Sequence, residues 1–407
     1  MKYIGYLYVL LMLMLVSCAT TNERTTISDI KRNLNMEVID MDKAENVKRI
    51  NFSSVVGKPK VIILETKPEC IIKEIRAVEV FKDNVYILDD ETNRLYVFDM
   101  NGKYLRSVGE LGRAKGEYLQ ISDFSIDAKS NVIYVWDEAL DKAFKYDVTT
   151  GKYLSSITTE RNGERTFCML HYNKKLYLNR TAVSNDLKYH IKEIDEKTGV
   201  QTAAYLESDK YNKGWNYPLR LESGFFYCKN HKEPKYVEMF SDMIVKFTPH
   251  GVMPAYIIKS KDFITQEDIE YVARNSTFKL RRYDFSKLDK SSRVYQVSCL
   301  AEFGNCLLFR YLQGSDRRYL LYDRKNNRVI SAPIFSDDYI CDNNNIPMDI
   351  LFTDKKYALT AIRPVFMKYL YDNIVSQGKL KKEIDNYDAL SGVKEDSNPV
   401  LLLHKIK

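Results

Sequence analysis

The chain has 407 residues, 45% of them apolar, with 30 Tyr and 18 Phe. That is enough for a large core and too much for a chain disordered over its length. Lys and Arg number 62 against 55 Asp and Glu, a formal charge of +7, but the basic residues are dispersed. Phosphate binding needs them in a stripe, so nucleic acid is set aside as a partner.

The first eighteen residues, MKYIGYLYVLLMLMLVSC, place Lys2 ahead of an apolar run from Ile4 to Val16. Such a run is too short to span a bilayer as a helix and fits the apolar centre of an export signal. It ends in Leu15, Val16, Ser17 and Cys18, which resembles the lipobox of bacterial lipoproteins, where the Cys is acylated and begins the mature chain. Residues 1–17 are therefore expected to be a signal peptide and Cys18 the lipidation site. Residues 18–51, polar and weakly patterned, read as a tether. The expected location is the cell envelope, lipid-anchored at the outer membrane. Which side it faces stays open, because ATTNE after Cys18 lacks an acidic run.

The stretch NVYILDDETNRLYVFDMNGKYLRSV from Asn84 returns as NVIYVWDEALDKAFKYDVTTGKYLSSI from Asn131. Tyr86 falls on Tyr134, Asp89 on Asp137 and Asp99 on Asp147 at a spacing of 48, and Gly102 on Gly151 at 49. Apolar residues alternate with a period of two, and Asn-Gly or Thr-Gly turns close each unit, the pattern of short antiparallel strands. One such sheet cannot bury both faces, so its neighbours must stack against it.

Weaker copies start at Lys175, Phe240 and Val294. Two segments break the pattern with helical character, residues 262–290, where Thr265 and Asp268 form a capping pair, and residues 367–398. With both set aside, residues 52–407 divide into six units of about 49 residues, the period of a propeller blade. The terminal NPVLLLHKIK reads as a strand of the last blade that pairs with KVIILET, Lys60 to Thr66, to close the ring. The expected fold is all-β: a six-bladed β-propeller with two short helical insertions, closed by its N- and C-terminal strands.

Four stretches, KVIILETKPECIIKEI, the unit from Asn84 through FSID, FSDMIVKFTPHGVMPAYII and NPVLLLHKIK, resemble in order and spacing the six-bladed β-propeller lipoproteins of Bacteroides and its relatives, whose repeats are NHL-like. The resemblance covers nearly all of the mature chain. It implies fold and address more than chemistry. The GRGPGEY-like loop of the family stands here as GRAKGEY, with Ala114 and Lys115 replacing Gly-Pro.

Chemistry is less marked. The loop VGELGRAKGEYLQISDF carries Arg113, Glu117 and Tyr118 among Gly109, Gly112 and Gly116. It reads either as a blade connection that needs left-handed backbone or as part of a ligand-binding face. Asp89, Asp90 and Asp137 close strands at equivalent places. They read as corner residues that accept backbone N–H groups or as a carboxylate ring for calcium in the channel. Trp215 and Tyr217, among Gly and Pro breaks, either fill space between blades or stack on a ligand. The five His form no metal-binding or triad pattern. Besides Cys18 there are Cys70, Cys168, Cys228, Cys299, Cys306 and Cys341. Gly304-Asn305 as a hairpin turn sets Cys299 opposite Arg310, roughly 13 Å from Cys306 along the sheet, too far for a disulfide. Free thiols are expected.

The leading functional reading is a lipid-anchored, non-catalytic envelope propeller that binds a glycan, peptide or protein. The ligand candidates are Arg113, Glu117, Tyr118, Trp215 and Tyr217, and no metal ligand is assigned. One alternative is an NHL-like propeller lyase or hydrolase with a channel metal. Another is an assembly subunit of an envelope complex that docks through the first helical insertion.

Overall fold

The alternation from Ile75 onward becomes a four-stranded meander of Ile75–Phe81, Asn84–Asp89, Arg94–Asp99 and Tyr104–Ser107. In the computed structural model the described residues are 26–27, 36–160, 164–182, 188–215, 225–276, 283–340, 350–375 and 384–407. Five more blades follow. Their innermost strands are Ile121–Asp127, Met169–Tyr172, Phe225–Tyr227, Val294–Phe303 and Phe352–Thr353. The protein is a six-bladed β-propeller.

Both faces of each blade are apolar because each packs on a neighbour. In the second blade Ile133 and Val135 join the core shared with the first, while Tyr134 and Trp136 join the core shared with the third. Such cores lie at all six junctions, the last uniting Ile62, Leu359 and Leu401 with Val85, Ile87 and Phe98. A period of two with apolar residues at both phases is thus the signature of a sheet buried on both sides.

The ring closes as expected. Val400–Ile406 runs antiparallel to Val56–Ile63, with Val400 opposite Ile63 and Leu402 opposite Val61. At this seam His404 is fully buried, with Nδ1 3.2 Å from the Gly57 carbonyl, and burial lowers its pKa to about 4.

The end of the segment read as a tether behaves differently. From Met36 the chain lies along the outside of the ring, where Glu37–Asp40, Glu45–Asn46 and Ile50–Asn51 add parallel strands beside Gly251–Lys259, Arg328–Ala332 and Phe335–Ser336. Thr26–Ile27 pairs in the same way with Ala203 and Ala204. The outer edges of the third to fifth blades offer unpaired N–H and C=O groups, and the added strands satisfy them while burying Ile39 and Ile50 in the cores of the adjoining blades.

The first insertion contains the helix Gln266–Asn275, and Thr265 with Asp268 completes the expected capping box. The second begins with Pro364–Leu370, three residues before its expected boundary, where Pro364 supplies the fixed φ of a first helical turn. No helix among the described residues is long and apolar enough to cross a membrane. Among the described residues Cys70, Cys168, Cys228, Cys299 and Cys306 form no disulfide with one another; Cys341 lies outside them. Phe303 pairs with Cys306 as the hairpin predicts. Two bulges in the inner strand then place Ser298, instead of Cys299, opposite Arg310.

The recurring turn glycines have a tertiary role. Gly102 has φ +84, and a Cβ there would overlap the Ile63 carbonyl, 2.7 Å from its carbon. The turn of one blade therefore abuts the outer strand of the blade before it.

Candidate axial site

Inner strands line the axis of a propeller, and here the axis is crossed by part of the protein itself. The two innermost strands of other blades meet in tight turns, at Lys82-Asp83 in the first and Gly304-Asn305 in the fifth. In the fourth blade the corresponding loop runs through residues 228–234. Cys228 starts it with φ 52, a left-handed conformation unfavourable for any residue with a Cβ.

This loop reaches four other blades. The Lys229 ammonium donates to Asp123 Oδ1 at 2.6 Å and the Phe124 carbonyl at 2.8 Å in the second blade. The Asn230 amide lies beside Glu79 of the first. His231 Nε2 is 3.0 Å from the Thr353 carbonyl of the sixth, and Cys228 Sγ is 3.8 Å from the Thr353 hydroxyl. Behind it, the Lys235 ammonium donates to Glu302 Oε2 of the fifth at 3.1 Å. Glu302 Oε1 accepts from the Tyr256 hydroxyl at 3.0 Å, with Arg324 at 3.5 Å.

Most of the axial charge is thereby paired within the protein. Asp123 accepts from Lys229, from the Phe124 backbone N–H at 2.9 Å and from the Met169 N–H at 2.8 Å. Burial works against the charge of Glu302, yet Lys235 and Arg324 hold its pKa below the usual value. Glu79 is the exception. It is 4% exposed, and neither carboxylate oxygen completes a hydrogen bond of normal geometry. Burial drives its pKa up to about 7, with Lys229 pulling it down and Asp123 pushing it up. Burial also lowers the pKa of the His231 imidazole and pushes the Cys228 thiol up to about 12. Among the described residues the axis is thus a set of inter-blade ties containing one acid without a salt bridge and one cluster of a thiol, an imidazole and a carboxylate.

The sequence-predicted candidates lie elsewhere. Arg113 is exposed on its loop. The Glu117 carboxylate turns back to accept from the Ala114 N–H at 2.8 Å, packing so closely on Gly112 that a Cβ there would sit 2.6 Å from its Cδ. Tyr118 is fully buried in the core between the first two blades. Trp215 is 2% exposed and packs edge-on against Phe240, centroids 5.2 Å apart, beneath the first helical insertion. Neither Tyr118 nor Trp215 presents a ring to a ligand, because both sequence segments are drawn into cores built by distant strands. Tyr217 and Cys18 lie outside the described residues. Asp89 and Asp137 are corner residues: Asp137 alone accepts from the N–H groups of Leu119, Gln120, Ala139 and Leu140. Sequence reasoning missed Glu79, Cys228, Lys229, His231 and Glu302. The one available signal was the polar run CKNHKE where other blades have a turn of two to four residues.

A second concavity lies at the closing seam. A cavity of about 610 Å³ is lined by Glu65, Thr66, Asn101, Lys103, Lys394 and Asp396, among others. Glu65 is committed to Lys67 and to the Tyr104 N–H. Lys103, Lys394 and Asp396 are exposed, and their side chains form no ion pair among the described residues.

A family model described as "Domain of unknown function (DUF4934)" matches residues 36–405. Among solved structures, a Bacteroides fragilis protein described provisionally as exported is similar at 20% identity. It covers 91% of this chain and 99% of its own, with a TM-score of 0.71. A member of the DUF4221 family from Bacteroides vulgatus is similar at 10% identity over 87% of this chain and 98% of its own, with a TM-score of 0.49. No curated protein matches the chain.

Proposed function

We propose that this chain, which belongs to the DUF4934 family of domains of unknown function, is an exported, lipid-anchored propeller that binds a polar peptide segment of an envelope partner without acting on it. The observation that carries the reading is the seam cavity, about 610 Å³ with exposed Lys103, Lys394 and Asp396 on its walls. Its size is that of a ligand pocket. Its charges of both signs are left for a partner, while those of the axis are largely spent within the ring. Among the described residues its lining includes no aromatic ring, the group on which sugars stack, which favours a peptide over a glycan. Export is supported by the signal-like start and Cys18, and by the description of the Bacteroides fragilis neighbour.

The test is thermal unfolding and calorimetric titration of the full-length chain against panels of charged peptides and of envelope glycans. A ligand that binds only the folded state raises the melting temperature saturably. The expected result is such a rise with a peptide, weakened about tenfold or more by Lys394→Glu, in line with the cost of opposing a charge at an interface, and unchanged by Arg113→Ala. Binding that survives Lys394→Glu and Lys103→Glu together, a response to glycans alone, or cleavage of the bound peptide would each overturn the reading. The anchor is tested separately. Cys18→Ala should move the protein from the membrane fraction to the soluble fraction and abolish incorporation of labelled fatty acid. A variant that still sediments with membranes would show that Cys18 is not what anchors the chain.

A further inference from the structure

We propose that Cys228, His231 and Glu302 bind one soft divalent cation, zinc by ligand type, which pins the axial loop of the fourth blade to the fifth. One ligand atom from each, Sγ, an imidazole nitrogen and a carboxylate oxygen, lies within 4.8 Å of the other two. A ligand-bound tetrahedral site needs them nearer, and small side-chain rotations about one central ion would supply that. Sulfur, nitrogen and one oxygen form a set that suits zinc and leaves a fourth position for water.

The surroundings favour this assignment independently of the cluster itself. His231 Nε2 lies 3.0 Å from the Thr353 carbonyl, an acceptor only, so Nε2 carries the proton. The lone pair then sits on Nδ1, which faces Glu302 Oε2 at 3.9 Å. Two acceptors turned toward each other across that gap are the arrangement a cation relieves. A backbone carbonyl that fixes the tautomer of a ligating imidazole is a usual outer partner of zinc sites. Tyr256 and Arg324 hold Glu302 by Oε1, which leaves Oε2 directed at the cluster beside Lys235.

The same neighbours decide which metal. Lys235 and Arg324 already balance the carboxylate, so a hard cation that depends on oxygen ligands gains little there. A cation bound mainly through sulfur and nitrogen keeps most of its affinity, and Lys235 retains the Glu233 carbonyl as an acceptor at 2.6 Å. As the metal–sulfur bond forms, the thiol proton leaves to solvent.

The full-length protein, dialysed against zinc and then against buffer, is assayed for metal content. Roughly one equivalent of zinc should remain, and Cys228→Ser and His231→Ala should each lose it while Cys168→Ser keeps it. Cobalt(II) added to the unaltered protein should give the intense near-ultraviolet absorption of a thiolate–cobalt bond and the visible bands of a tetrahedral ion. This readout needs no variant to fold. Failure to retain zinc, retention undiminished in both ligand variants, or a cobalt spectrum without the thiolate band would each overturn the assignment.

Discussion

Gly102→Ala is expected to lower the unfolding free energy by about 2–4 kcal/mol, whereas the same change at Gly151, its counterpart in the next blade, should cost about 1 kcal/mol. Both glycines hold left-handed backbone, φ +84 and +69, so both lose the conformational part. They differ in what the new methyl meets. At Gly102 it overlaps the Ile63 carbonyl and lies 3.3 Å from Leu64 Cα, all backbone of the strand that closes the ring. At Gly151 the nearest atoms are Arg106 Nε at 3.2 Å and Cδ at 3.3 Å, on a side chain that can turn aside, with the Ser107 carbonyl at 3.3 Å. Relief at Gly102 requires the first blade to move away from the sixth, which stretches the bond of 2.7 Å from the Glu65 N–H to the Gly102 carbonyl. Urea midpoints of the two variants decide the matter. Equal losses would mean that backbone conformation alone explains the repeat glycine and that the seam contact contributes nothing.

The second large effect is on the pH dependence of stability, where two buried groups act in opposite directions. Glu79 has its pKa raised from 4.5 to about 7. The folded state therefore holds this proton more tightly, and the associated stability is complete below pH 4.5 and lost as pH rises through 7. His404 has its pKa lowered from 6.5 to about 4. Its contribution is present above pH 6.5 and lost as pH falls through 4. Each amounts to about 3 kcal/mol, and the windows nearly coincide, so the two slopes largely cancel. Glu79→Gln should expose the rising slope of His404 between pH 4 and 6.5 and should stabilise the protein above pH 7. His404→Phe should expose the falling slope of Glu79, whatever it costs in packing against Phe52 and Tyr339. Lys229 and Asp123 act on Glu79, and Asp338 acts on His404; all three remain in both variants and drop out of the comparison. Urea midpoints across this pH range are the measurement. Parallel curves for the unaltered protein and Glu79→Gln would show that Glu79 does not titrate in this range.

The two predictions mark different depths of legibility. The glycine was visible in the sequence, since Gly102 and Gly151 align in a repeated turn, although its contact with Ile63 was not. Glu79 gave no signal at all: it is an acid at an ordinary position of an alternating strand, IRAVEVF. Its environment is supplied by Lys229 and Asn230, some 150 residues further along the chain. The expected ligand rings show the converse. Trp215 and Tyr118 stand near Gly, which suggests exposed loops, yet Phe240, Ile264 and Val272 enclose the first and the junction of two blades encloses the second.

By itself, then, the sequence determined the propeller: strands by their period of two, blade count by the repeat length, closure by the apolar termini, and the first helix by Thr265 and Asp268. These are features of hydrogen-bonding geometry and of burial averaged over a blade, and both are written in neighbouring residues. Tertiary structure alone decided that residues 36–51 cover the outer edges of the blades, that Cys228 and the residues after it cross the axis, and that Lys103, Lys394 and Asp396 gather at the seam. Each depends on which backbone edge, charge or cavity a distant part of the ring brings close. A closed ring fixes those meetings only once every blade is in place.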